Sequence, residues 1–236
     1  MKILAIDTSA LVATAALCED DTPIAVSSQK SGLTHSATML PIVKNIMDNT
    51  NTSIDDIDMF AVSEGPGSFT GIRIGIATVK GLAFGKNKIC IGVSTLEALA
   101  ENLPYEDGIL CPVMDARRNQ VYNALFKREN GVLVRMCEDR LIPLDELSAE
   151  LSALQQKIYL CGDGYRLAKS RLTVSSEDVS PLLIAQNAIS VASVAKRIYD
   201  AAPDEDYSEG KLQPIYLRAS QAERERLEKE AEKENK

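Results

Sequence analysis

Residues 2–29, KILAIDTSALVATAALCEDDTPIAVSSQ, and residues 110–137, LCPVMDARRNQVYNALFKRENGVLVRMC, carry one pattern twice, 108 positions apart. In the first copy, apolar runs at Lys2 to Asp7, Ala13 to Cys18 and Ile24 to Gln29 are separated by turn residues, the second turn being Asp20-Asp21-Thr22-Pro23. Runs of this length between such punctuation predict a three-stranded β-meander. A gapless slide of 108 puts Asp115 on Asp7, Leu125 on Leu17, Val132 on Ile24 and Val134 on Val26. The second copy therefore predicts strands Ile109 to Asp115, Gln120 to Lys127 and Val132 to Cys137. Both turn lengths survive, which a chance coincidence of apolar runs rarely achieves.

Beyond the first meander the pattern predicts a helix from about Ser36 to Asp48, strand Met59 to Ser63, helix Thr70 to Phe84, strand Ile89 to Val93 and a short helix Thr95 to Glu101. The second half continues similarly, with a helix near Pro143 to Ala153, strand Ile158 to Leu160, a turn at Cys161 to Tyr165 and a helix Ser190 to Tyr199. Three antiparallel strands followed by alternating helices and strands describe a ribonuclease-H-like unit. Two such units make an α/β protein of the actin-like, sugar-kinase-like ATPase fold, with two mixed-sheet subdomains. Glu101 to Gly108, with Pro104 and Asp107-Gly108, reads as the hinge. The expected division is residues 1–104, residues 105–219 and a charged helical tail over 220–236. In that tail Glu225 and Lys229, like Glu232 and Lys236, suit a solvated helix.

The composition is that of an ordinary globular chain, and 26 basic against 34 acidic residues leave a net charge of −8. Such a surface repels phosphate backbones and anionic membranes at long range, so direct high-affinity binding of tRNA or DNA is not expected. The apolar start Ile3-Leu4-Ala5-Ile6 stops at Asp7 and nothing approaches a bilayer-spanning length, which predicts a cytoplasmic protein. Five scattered cysteines without a Cys-x-x-Cys pair read as reduced core residues. A single histidine, His35, excludes any site needing two histidines from this chain, and no metal site is expected.

Ser63-Glu64-Gly65-Pro66-Gly67-Ser68-Phe69-Thr70-Gly71 joins a strand to a helix through a glycine-rich turn. Such a turn lets backbone approach an anion closely, and Ser68 or Thr70 can cap the helix behind it. It is not a Walker loop, because the nearest downstream lysine is Lys80. Two readings stand: a phosphate contact made by Gly65, Gly67, Ser68 and Thr70, with Asp7, Ser9 and Asp115 across the cleft, or a tight turn with no ligand. A glycine for close approach is missing from the first hairpin, where Ala10-Leu11 stands, which weighs against ATP turnover.

Ile6-Asp7-Thr8-Ser9, Thr34-His35-Ser36, Gly65 to Gly71 with Arg73-Ile74-Gly75, Met114-Asp115-Ala116-Arg117, Gly162-Asp163-Gly164 and Tyr216-Leu217-Arg218 occur in one order along nearly the whole chain. In these the sequence closely resembles the TsaB (YeaZ) family of bacterial tRNA threonylcarbamoyladenosine biosynthesis. The resemblance implies a non-catalytic paralogue of the transferase TsaD, which carries a His-x-x-x-His metal pair where this chain has Thr95 and Leu99. It implies a scaffold that dimerises with a TsaD homologue and helps dock the ATPase TsaE. It also implies pairing with itself, contact with tRNA through the complex alone, no membrane, and no cofactor of its own, with ATP or ADP in the complex.

Two helices bear on that partnership. The first carries Met39, Leu40, Ile42, Val43, Ile46 and Met47, and the second has Arg73 and Lys80 as its charges. Either both helices cover the sheet, or part of each stripe faces another subunit. The resemblance favours the latter, with His35, Met39, Leu40, Val43, Ile72, Ile76, Val79 and Lys80 as interface residues. Two rival functions are an actin-like ATPase or kinase dependent on Asp7, and a glycoprotease-type peptidase. One histidine and no Ser-His-Asp grouping argue against the second.

Overall fold

The computed structural model describes residues 1–218; the expected tail helix lies outside them. The chain runs β1 (Lys2–Asp7), β2 (Ala13–Glu19), β3 (Thr22–Gln29), α1 (His35–Thr50), β4 (Met59–Gly65), α2 (Phe69–Ala83), β5 (Ile89–Ser94) and α3 (Thr95–Glu101). It continues β6 (Gly108–Asp115), β7 (Gln120–Asn123), β8 (Phe126–Glu129), β9 (Val132–Arg135), β10 (Arg140–Pro143), α4 (Leu144–Leu154), β11 (Lys157–Cys161), α5 (Tyr165–Arg171) and α6 (Ala188–Ala201). The first sheet has the order β3-β2-β1-β4-β5, antiparallel through the meander and parallel from β1 to β5. This is the ribonuclease-H-like unit read from the sequence.

Both faces of that sheet are covered, which is why β1 is apolar at nearly every position. Leu4 and Ile6 point to one face, where α1 and α2 supply Met39, Ile42, Val43, Ile46, Ile72 and Val79. Ile3 and Ala5, on the alternate positions, point to the other face and meet Val191, Val194 and Ala195 of α6. Chain order put this last helix with the second half, but in space it closes the first sheet. Small residues on both partners, Ala5, Ala16 and Ala61 against Ala188, Ala192 and Ala195, let the helix lie close.

The second sheet repeats the first with a break. β11 runs parallel to β6 as β4 does to β1, and a lone parallel bridge from Tyr159 to Glu177 occupies the place of β5. The strand expected over Gln120 to Lys127 is two strands, β7 and β8, interrupted at Ala124-Leu125. The cause is Pro112 in the middle of β6, which has no amide for the ladder. Asn123 fills the gap by donating its Nδ2 hydrogens to the carbonyls of Pro112 and Ala124, each at 3.0 Å. β7 then pairs with β10, a strand the sequence reading missed.

Behind the hinge the halves are joined by charge. Glu97 of α3 accepts from Arg135 of β9 at 2.8 Å and from Arg197 of α6 at 2.7 Å, and Arg135 also reaches Asp139 at 2.6 Å. Burial alone would raise the Glu97 carboxyl, but the two guanidiniums outweigh it and hold Glu97 below its ordinary range.

Candidate functional site

The glycine turn is packed against the chain's own first hairpin. Ser68 caps α2, its Oγ accepting the Gly71 amide at 3.2 Å, while its own amide donates to the Ser9 carbonyl at 2.7 Å. A Cβ on Gly67 would lie 2.5 Å from that same carbonyl oxygen, and one on Gly71 would collide with the carbonyl oxygen of Thr8. Thr8 in turn donates its hydroxyl to the Gly71 carbonyl at 2.7 Å. The close approach that glycine permits is therefore made to protein backbone. Of the two sequence-level readings of the turn, this supports the structural one for Gly67 and Gly71.

Asp7 is fully engaged from within. Its Oδ1 accepts from the amide and hydroxyl of Ser9 at 2.7 and 2.6 Å, and its Oδ2 from the Ser63 hydroxyl at 2.6 Å. Burial raises its carboxyl above the ordinary value, with those hydrogen bonds opposing the rise. Asp7 and Gly65 lie behind the turn, away from solvent. Ser9, Gly67, Ser68, Thr70 and Asp115 do come together, lining one cleft of about 1260 Å³ between the two sheets.

That cleft has walls the sequence reading did not assign. Lys30 and Leu33 lie on the segment after β3, Arg117 and Arg118 in the β6–β7 turn, and Tyr216 and Arg218 on the final described segment. The final segment crosses the cleft mouth. Ile215 donates its amide to the Glu64 carbonyl at 2.7 Å, Tyr216 stacks on Phe69 at 4.5 Å, and Arg218 donates to the Ala116 carbonyl of the second half. Arg73 completes the clasp, 3.9 Å over the Phe69 ring and donating Nε–H to the Tyr216 hydroxyl at 2.7 Å.

Residues 26–235 match the sequence profile of the TsaD family, tRNA N6-adenosine threonylcarbamoyltransferase. The tRNA threonylcarbamoyladenosine biosynthesis protein TsaB of Bacillus subtilis is 34% identical over 172 residues, covering 73% of this chain and 75% of the relative. The chain belongs to the TsaB family. The TsaB protein of Escherichia coli is 40% identical over 135 residues, 56% of this chain and 58% of that protein. Among solved structures, YeaZ from Pseudomonas aeruginosa superposes with a TM-score of 0.79 at 24% identity, over 92% of this chain and 99% of that one. Component A of the (R)-2-hydroxyglutaryl-CoA dehydratase of Acidaminococcus fermentans shares the fold with a TM-score of 0.52 at 13% identity, over 85% and 99%.

In this TsaB-family chain most of the expected interface residues are core. Met39, Val43, Ile72, Ile76 and Val79 are buried between α1, α2 and the first sheet, so they cannot also face a partner. The buried stripe is broad because the helices also bury their flanks against each other and the meander. Leu40, 54% exposed, does face solvent, as do Pro41, Ala77, Gly81 and Phe84, while Lys80 is half-buried at the edge of that face. His35 pairs its Nε2 with the Ala10 carbonyl at 2.6 Å and so ties α1 to the first hairpin.

Thr95 and Leu99 are both buried, and Leu99 packs with Leu96, Leu110 and Met114 under the second sheet.

Glu64 is a further outlier. Its carboxyl lies over Gly92 of β5, and burial pushes it up to about 7 from the ordinary 4.5. Between those values the folded chain keeps a proton that the unfolded chain has released, so this group's contribution to stability falls as pH rises from 4.5 to 7 and is level above it. Glu64→Gln removes that decline. Discounted for partial exposure, the variant should be about 1–2 kcal/mol more stable than the parent at pH 8 and closer to it at pH 5, read by urea unfolding.

Proposed function

We propose that this chain is the non-catalytic scaffold and activator of a tRNA N6-threonylcarbamoyladenosine synthase complex. In this reading residues 1–104 form the partner-binding half. They dock on a TsaD homologue through the outward face of α1 and α2, and the pair helps seat the TsaE ATPase. The complex transfers threonylcarbamoyl to the adenosine next to the anticodon, and tRNA reaches this chain through the complex. The protein works in the cytoplasm, also pairs with itself, and needs no cofactor of its own, any ATP or ADP being held in the assembly.

The observation that carries this reading is internal use of the catalytic-type elements. Asp7, which orients magnesium in an active actin-like site, has both carboxylate oxygens taken by Ser9 and Ser63. The two histidine positions are filled by buried Thr95 and Leu99. What stays open on α2 is a face whose exposed charge is Arg73, with small residues at Ala77 and Gly81 that admit a close helix neighbour. The names of the TsaB relatives support the pathway.

The test is reconstitution. Purified TsaD and TsaE homologues, given threonylcarbamoyl-adenylate and tRNA, should modify the tRNA when this chain is present and fall to background when it is omitted. Full modification in its absence ends the proposal.

A further inference from the structure

Arg73, Ala77, Gly81 and Phe84 recur at helical spacing along α2 and its C-cap, and all are exposed, so they form one outward stripe. Arg73 is the charge on that stripe, and its guanidinium is fixed from within the chain. The Phe69 ring lies 3.9 Å from the guanidinium carbon, Tyr216 stacks on Phe69 with ring centroids 4.5 Å apart, and the Tyr216 hydroxyl accepts Nε–H at 2.7 Å. An exposed arginine ordinarily samples many rotamers, and ordering it at an interface costs entropy. Here that cost falls on folding instead of docking.

Tyr216 is itself held by remote backbone. The Ile215 amide donates to the Glu64 carbonyl at 2.7 Å, Leu212 is buried in the first core, and a Cβ on Gly65 would collide with the Ile215 carbonyl oxygen. Among the described residues Arg73 has no ion pair, and its one hydrogen bond is the Nε–H to Tyr216. The N–H groups on both Nη atoms are therefore left for another molecule. A planar fork of this kind matches a carboxylate through two parallel hydrogen bonds.

A second copy of the chain fits the fork poorly. α2 has no acidic residue, and the acidic residue of α1, Asp48, is already paired with Lys44 at 2.5 Å. Two copies meeting through these helices would bring Arg73 to a face without a free carboxylate. A helix that covers Arg73 without supplying one buries the guanidinium unpaired, a penalty that selects against it.

We propose that Arg73 is a preset anchor for an Asp or Glu carboxylate on a partner helix packed along α2, and that Tyr216 is the residue that positions it. The proposal rests on the docking reading above and names the chemistry that its surface selects, an acidic helix of a different protein over a second copy of this chain.

The experiment titrates the full chain with the purified TsaD homologue in a calorimeter across a salt series. Arg73→Gln should weaken binding by about tenfold or more and flatten its salt dependence, while Arg73→Lys, which keeps the charge and loses the fork, recovers part of the affinity. Tyr216→Phe lacks the phenolic oxygen alone and should weaken binding by about threefold. In the Arg73→Gln background it should change nothing further, which marks a residue acting through another. Arg166→Gln removes the same charge from α5 and should bind as the parent does. Each altered position is exposed, and thermal midpoints check the fold. Ala77→Glu separates the anchor from the docking reading: binding lost in Ala77→Glu but kept in Arg73→Gln leaves the face and overturns the anchor, whereas binding kept in Ala77→Glu removes the face and the anchor with it. Self-association of the chain alone, read on a sizing column, should be unchanged in Arg73→Gln. A loss there equal to the loss of partner binding assigns Arg73 to a second copy and overturns the proposal.

Discussion

Gly71→Ala should lower the thermal unfolding midpoint by about 10 °C. The new Cβ would be driven into the Thr8 carbonyl oxygen, on buried backbone just after the end of β1. Relief requires α2 to retreat from the first hairpin. That movement would break the Thr8 hydroxyl bond to the Gly71 carbonyl and the Ser68 amide bond to the Ser9 carbonyl. It would also loosen Ile72 and Val79 from the core. Losses of this kind sum to about 3–4 kcal/mol, which in a chain of this size is near ten degrees. Gly81→Ala, on the outward side of the same helix with open space around it, is the matched control. Replacing glycine within a helix there should raise stability slightly. If calorimetry found both variants alike, the packing account of the turn would fail.

Ala77→Glu should abolish co-elution with the TsaD homologue, and with it tRNA modification, while leaving the midpoint of the isolated chain within about 2 °C. Ala77 is exposed on α2, so a carboxylate there is solvated in the free chain and buried unpaired when a helix packs over it. Val43→Glu supplies the contrast. Val43 is 3% exposed and packs with Leu4, Ile6 and Phe60 in the core, so the same carboxylate would prevent folding. Retained co-elution of Ala77→Glu on a sizing column would remove the outward helix face as the docking surface. The two variants lie on the same pair of helices, and the sequence reading places Val43, not Ala77, at the interface.

That contrast marks where sequence reading ran out. The meander, its 108-residue repeat and the helix after the glycine turn were legible because strand and helix periods are local, set by side chains two or four positions apart. The break at Ala124-Leu125 had its signal in Pro112, a residue without an amide at mid-strand, which was read as ordinary strand. The apolar stripe of α1 could not be divided between core and partner, since both demand the same residue types. Leu40 and Met39 differ in role through a rotation of one position about the helix axis, and the sheet beneath fixes that rotation. Arg117 and Arg118 carry no such local signal, because nothing in their sequence neighbours says which cavity they line.

The sequence by itself determined the order and type of most elements, the duplicated α/β fold, the turn at Gly65 to Gly71 and the presence of a single histidine. These depend on composition and on short-range periodicity. The tertiary structure alone decided that Gly67 and Gly71 approach Ser9 and Thr8, that α6 closes the first sheet, and that Asp7 is held by Ser9 and Ser63. It also decided that unpaired arginines line the cleft. Each of those is a distance between residues remote in the chain, except for the local Asp7–Ser9 bonds, and such distances are set when two packed faces bury their apolar surface together.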